Sequence, residues 1–269
     1  MMQTLRLPGL SRLLCLLALC APLAARADEH IHFDTGSPPT MYRGADGRAS
    51  GIYPALVAAA FRRAQIPIQA EATPFRRMIA VLQQPPGGAG AVIRTAERER
   101  LADFSAPYFQ ERVMVYARRP LPDAGLDQLR GLRVGVIRGW SYGDPFDQAR
   151  QLREFQVEEV ERDVQNFEKL RLGRVDAVLA TEPAGELLLR LPRFRGLQAM
   201  PRPLWVFGIH LAFARSPSRR ELLQAFDREI AAMQQSGEWA QLVQRESEAA
   251  RGELEAELKR LPVEAKSAP

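Results

Sequence analysis

Cysteine is nearly absent. The 269 residues contain two, Cys15 and Cys20, and both stand within the first 27 positions. No apolar run approaches the roughly 20 residues that a membrane-spanning helix requires. No zinc-ligand spacing, phosphate-cradling glycine loop or internal repeat is present, which removes the usual metal, nucleotide and solenoid classes. No compact basic tract supports a nucleic-acid partner, although the formal net charge is +5.

What is present begins with a leader. Arg6 and Arg12 precede the apolar run Leu13 to Leu19, and Ala25-Arg26-Ala27 supplies a small-residue cleavage site, the pattern of a secretory signal peptide. Cleavage is expected after Ala27. A rival is a lipid anchor at Cys20, but such sites carry a small residue before the cysteine, where Leu19 stands here. With the leader leave both cysteines and Arg6, Arg12 and Arg26, so the exported chain lacks disulfide and thiol chemistry and lies nearer charge balance. Its length suffices for one large or two medium domains with an ordinary core.

Along that chain the hydrophobic period alternates between two and 3.6 residues. Ile31-His32-Phe33 reads as a strand, and turns follow at Gly36-Ser37-Pro38-Pro39 and Gly44-Ala45-Asp46-Gly47. From Ile52 to Ala64, Leu56, Val57, Ala60 and Phe61 form a helical stripe opposite Arg62 and Arg63. Ile66 to Ala70 is a strand, and Phe75 to Leu82 a helix that stops before Pro85-Pro86-Gly87-Gly88. Strand, helix, strand, helix predicts a mainly parallel sheet with helical crossovers. After the β-prone Val113 to Ala117, the break Arg118-Arg119-Pro120-Leu121-Pro122 opens a second unit. Its expected strands are Leu132 to Ile137, Val157 to Val160 and Val175 to Leu179, with helices from about Asp144 and over Val164 to Leu172. Leu204 to Ala214 is again β-prone, Ser218 to about Met233 is an amphipathic helix, and a further helical piece surrounds Trp239. From Glu246 to Pro269 a charged segment with the thin stripe Leu254, Leu258, Leu261 predicts a solvated helical or disordered tail.

Three motifs in register carry a resemblance. Thr95-Ala96-Glu97-Arg98 followed by Asp103-Phe104-Ser105-Ala106-Pro107-Tyr108, then Leu129 to Val136, then Leu170-Arg171-Leu172-Gly173-Arg174-Val175-Asp176-Ala177, resemble motifs of the bacterial extracellular solute-binding proteins of family 3. The resemblance covers about residues 31 to 243. It implies an α/β, two-lobed periplasmic binding protein fold of type II, each lobe a mainly parallel sheet flanked by helices. Residues 28–117 and 201–245 would form the first lobe, 118–200 an inserted second lobe, and 246–269 the tail, with hinge segments near Tyr116 to Pro120 and Ala199 to Leu204. The implied function is capture of a small polar, carboxylate-bearing ligand, an amino acid or relative, by a monomer serving an inner-membrane ABC permease. No catalytic residue, metal or cofactor is implied. Two alternatives stay open: an enzyme resembling cyclohexadienyl dehydratases, with Glu182 as its general acid, and a sensory ligand-binding module.

The resemblance assigns Arg98 to the ligand carboxylate, a task suited to a planar, always-charged guanidinium; a surface charge is the plain alternative. Thr95 adds a hydroxyl or orients the loop. Phe75 either packs on the ligand or is core at a helix start, and Arg77 either adds a cleft cation or lies on a solvated face. Gly139-Trp140-Ser141-Tyr142 occupies the loop that presents N–H groups and a hydroxyl at a helix start, with Trp140 filling the pocket or shielding the lobe edge. The departures are as informative. Thr181 stands where amino-acid binders of the family carry an ammonium-pairing Asp, and adjacent Glu182 should point to the opposite face of a strand. Ser37 replaces a cleft aromatic, Ile93 a polar floor residue, and Arg94 an apolar one. These changes predict a cleft that prefers carboxylates lacking a free ammonium or bearing a second acid.

Overall fold

A computed structural model describes residues 29–83, 87–121 and 125–260, with the side chains of 257 and 260 excepted. The leader expected over residues 1–27, Cys20, Pro85-Pro86, Pro122 and the end of the tail, Leu261 included, lie outside the described residues.

In chain order the first lobe contributes β1 (Glu29–Phe33), β2 (Gly36–Ser37), β3 (Met41–Arg43), β4 (Ala49–Ser50), α1 (Ile52–Arg63), β5 (Ile68–Ala72), α2 (Phe75–Ala80), β6 (Gly88–Val92), α3 (Ala96–Leu101) and β7 (Ala102–Phe104). Strand β8 (Phe109–Ala117) crosses to the second lobe, which holds β9 (Arg133–Ile137), α4 (Asp144–Gln151), β10 (Gln156–Val160), α5 (Asp163–Arg171), β11 (Ala177–Thr181), α6 (Glu182–Leu189) and β12 (Gln198–Ala199). Strand β13 (Trp205–Ala214) returns, and α7 (Pro217–Ser236) and α8 (Glu238–Arg260) complete the described chain.

One sheet runs through both lobes in the order β10-β9-β11-β8-β13-β6-β1-β5. At each end the pairing is parallel, β1 with β5 and β6 in the first lobe and β9 with β10 and β11 in the second. The two crossing strands make the centre antiparallel, Trp205 facing Val113 and Ile209 facing Phe109. β8 exchanges partners at Val113, which also faces Thr181 of β11, and β13 passes to β6 from His210. The crossover, at Val113 and between Trp205 and His210, falls before the segment 116–120 and after the segment 199–204 that the sequence suggested for a hinge, because the β-prone runs continue their ladders straight across the boundary.

The cores follow from the stripes. α1 buries Leu56, Val57, Ala60 and Phe61 against Ile31, Phe33, Phe213 and Phe226. In the second lobe one sheet face packs Tyr116, Val178, Phe167 and Phe194, and the other Val134, Val136, Leu179 and Phe146. Burying such side chains contributes about 1.5–3 kcal/mol each against chain entropy. The tail differs from the solvated segment expected: α8 continues to Arg260, and Ala250 and Leu254 are buried in the cluster that joins Tyr42 of the first lobe to Met114, Leu187 and Leu188 of the second, with Leu258 packed against it. A thin apolar stripe is enough to hold a helix when a preformed groove receives it.

Candidate functional site

Between the lobes lies a narrow cleft with a cavity of about 50 Å³, bordered by Tyr53, Phe75, Ile93, Arg98, Glu111, Trp140 and Thr181 among others. Most of the remaining lining is apolar: Met41, Ala91, Val92, Val113, Tyr142, Phe207 and Ile209, with Ser141 at the edge.

Arg98 is placed by its helix. Thr95 caps α3, its hydroxyl accepting from the Arg98 N–H at 3.3 Å, the role its residue type favours. The Arg98 side chain is 7 % exposed. Its Nη1 donates to the Ile93 carbonyl at 3.1 Å, and its guanidinium lies 5.5 Å from the Phe75 ring centroid. Burial pulls its pKa down, opposed by Asp147, Glu97 and Asp144, and among the described residues no carboxylate forms an ion pair with it. A buried cation with donors left over is a receptor for an anion.

The second lobe reaches across. Trp140 Nε1 donates to Asp34 at 2.7 Å, and the Trp140 ring lies 6.1 Å from Phe75. Burial raises the Asp34 pKa, opposed by the Thr35 backbone and Trp140. Ser37 donates to Asp163 at 2.7 Å, so the serine in place of an aromatic fastens the two lobes. Gly36 lets the backbones meet, since a Cβ there would lie 2.4 Å from the Glu161 carbonyl oxygen.

Several residues take other places than the sequence suggested. The Ser141 hydroxyl donates to Asp147, and the first turn of α4 carries Asp144 and Asp147; its own acids already answer that helix dipole. Tyr142 lends its ring to the cleft while its hydroxyl accepts from the Ile137 N–H at 3.0 Å. Thr181 is buried and caps α6 by accepting from Ala184 N–H at 3.4 Å. Glu182 lies outside the lining and pairs with Arg112 at 3.4 Å. Arg77 is exposed and acts electrostatically on His32 and Glu71, away from the cleft. Arg94 is also exposed, bound to Glu99 at 3.0 Å. Of the three candidate cations, the cleft receives Arg98.

One lining residue escaped the sequence reading. Glu111 on β8 is 4 % exposed, and its Oε2 accepts from the Tyr53 hydroxyl. Its Oε1 is buried with no hydrogen-bond partner. Burial raises its pKa to about 8, opposed by Tyr53 and Thr181 and reinforced by Asp163 and Glu182. The signal was the alternation along β8: Phe109, Glu111 and Val113 share one face. Among the described residues no cluster of three or more His, Cys, Asp or Glu side chains is placed to hold a metal ion.

The fold agrees with the comparisons. The model of the bacterial extracellular solute-binding proteins, family 3, matches residues 30–246, and the chain belongs to that family. Among solved structures, an ancestral arginine-binding protein bound to arginine is 20% identical with a TM-score of 0.70, covering 82% of this chain and 98% of that one. An amino acid ABC transporter substrate-binding protein from Streptococcus pneumoniae, bound to L-arginine, is 20% identical with a TM-score of 0.69 over 83% of this chain and 95% of its own. A histidine kinase sensor domain with similarity to periplasmic binding proteins is 19% identical with a TM-score of 0.71, covering 82% and 96%. At these identities the likeness is one of fold, the two-lobed periplasmic binding protein fold. No curated protein matches the chain.

Proposed function

We propose that the chain is an exported, monomeric receptor that captures a small carboxylate-bearing solute, an amino acid or relative, between its lobes and delivers it to an ABC permease of the inner membrane. The leader motif at Arg6 to Ala27 supports export to the periplasm, and no described helix is long and apolar enough to cross a membrane. The observation that carries the reading is Arg98, buried at the cleft with no carboxylate partner among the described residues. Phe75 and Trp140 flank it with aromatic surface for the body of the solute, as small-molecule sites commonly do. Both lobes come from one chain, so the cleft needs no second copy.

A thermal-shift screen of the protein beginning at Asp28, against amino acids, dicarboxylates and opines, tests the proposal, because a specific ligand raises the melting temperature with its concentration. Arg98→Ala should abolish the shift. Truncating one member of a buried charge pair costs about 2–5 kcal/mol, so unchanged affinity by calorimetry would refute the assignment.

One observation favours a second reading, an enzyme on the same fold. Glu111, not Glu182, is the acid that lines the cleft, and a carboxyl with its pKa near 8 is suited to general acid work. Incubating the bound solute with stoichiometric protein and following it by NMR separates the readings: a receptor returns it unchanged.

A further inference from the structure

The absence of an acid at Thr181 argues against ammonium-bearing ligands only if no other acid serves the cleft. Glu111 reaches it from β8, beside Thr181. We propose that Glu111 is a ligand-binding acid that holds a proton until a ligand places a cation against its Oε1, and that capture of an ammonium-bearing carboxylate therefore expels that proton. The inference rests on the reading of the cleft as a solute site with Arg98 as its carboxylate anchor.

Three observations converge. Glu111 lines the same cleft as Arg98, so a zwitterion meets both a cation and an acid there. Its two oxygens are not equivalent: Oε2 is occupied by Tyr53, while Oε1 is buried without a hydrogen-bond partner, and a buried oxygen of this kind is costly unless something comes to it. Its surroundings disfavour a standing negative charge. Asp163 from α5 and Glu182 from α6 act on it as like charges. Tyr53 from α1, Tyr108 and Tyr116 near and on its own strand keep their hydroxyl protons, since burial raises each of their pKa values. Thr181 offers a hydroxyl from β11, and Arg98 is the cation that shares the lining. Burial accordingly lifts the carboxyl to about 8.

The balance of the step is simple. The Glu111 O–H bond breaks, its proton leaves to solvent, and the carboxylate pairs with the incoming ammonium. Below the carboxyl's own pKa each unit of acidification then weakens capture about tenfold. Ligands without a cation at that end leave the proton in place, and Glu111 donates to them or stays silent.

The test is calorimetric titration of wild type and Glu111→Gln with L-glutamine, L-lysine, L-glutamate and succinate at pH 6, 7, 8 and 9, in buffers of different ionisation enthalpy. For at least one amino acid, wild type should release close to one proton at pH 7 and bind about tenfold more tightly at pH 7 than at pH 6. Glu111→Gln should abolish both effects. Tyr53→Phe, which removes the donor to Oε2, should move the pH midpoint upward, a shift that a merely structural glutamate would not produce. Succinate binding with no amino acid bound at pH 9 overturns the inference and leaves the receptor reading standing. Amino-acid binding without proton release, or unaltered in Glu111→Gln, also overturns it. Absence of all binding by wild type fails both.

Discussion

Trp140 shows how much one donor can carry. Its indole N–H is the hydrogen bond by which the second lobe holds Asp34, and Asp34 is buried with its pKa raised. Trp140→Phe keeps most of the ring but removes the donor that the second lobe gives to buried Asp34, leaving it the Thr35 and Phe75 backbone, a cost of about 1–3 kcal/mol. The expected result is a ligand affinity about tenfold or more weaker with little change in melting temperature, checked by calorimetry beside a thermal melt. Asp163 and Glu111 make a different prediction. Burial raises both, Asp163 to about 7 and Glu111 to about 8. An acid whose pKa is higher in the folded than in the unfolded chain stabilises fully below its unfolded value and loses that contribution as pH rises through its folded value. The melting temperature should therefore fall between about pH 5 and pH 8, and Glu111→Gln should flatten the upper part of that decline in scanning calorimetry.

At the scale of elements, α8 makes the sharpest prediction. Leu254 is 2 % exposed in a cluster drawn from both lobes, so Leu254→Ala should destabilise by about 2–5 kcal/mol in urea unfolding; a solvated tail would give almost nothing. The sequence showed the stripe but not its receiver, because the groove is assembled from Tyr42 and from residues more than 50 positions upstream. Strong patterns were legible: α1 was expected over Ile52 to Ala64 and spans Ile52–Arg63, and β9 and β13 begin one residue later than read. β6 was not, since Gly88-Ala89-Gly90-Ala91-Val92 has the residues of a turn. Its glycines are there for packing, with the Phe213 ring over Gly88 and the Phe33 ring over Gly90. Arg98 was legible because a local motif fixes its loop; the alternation along β8 sets Glu111 on one face with Phe109 and Val113, but its partners Tyr53 on α1 and Thr181 on β11 lie far along the chain, so alternation alone did not mark it as a cleft acid.

For the whole molecule, closeness of approach is set at Gly36. A methyl group there would lie within 2.4 Å of the Glu161 carbonyl oxygen, far inside van der Waals contact, so Gly36→Ala should hold the lobes apart. Small-angle scattering should show a larger radius of gyration at saturating ligand, and affinity should drop even though no ligand contact is removed. An unchanged radius would mean that the backbone yields elsewhere.

The continuous sheet has a mechanical corollary. β8 and β13 are zipped to each other from Trp205–Val113 to Ile209–Phe109, so the lobes are joined by a single two-stranded ribbon and not by two independent tethers. A ribbon of this kind resists bending in its own plane, where its ladder would have to break, and yields to twisting about its length. Separation of the lobes about this ribbon is thereby a twist of the β8–β13 pair, whose ladder holds its register from Trp205–Val113 to Ile209–Phe109, with α8, packed on both lobes, as the contact that the twist has to loosen.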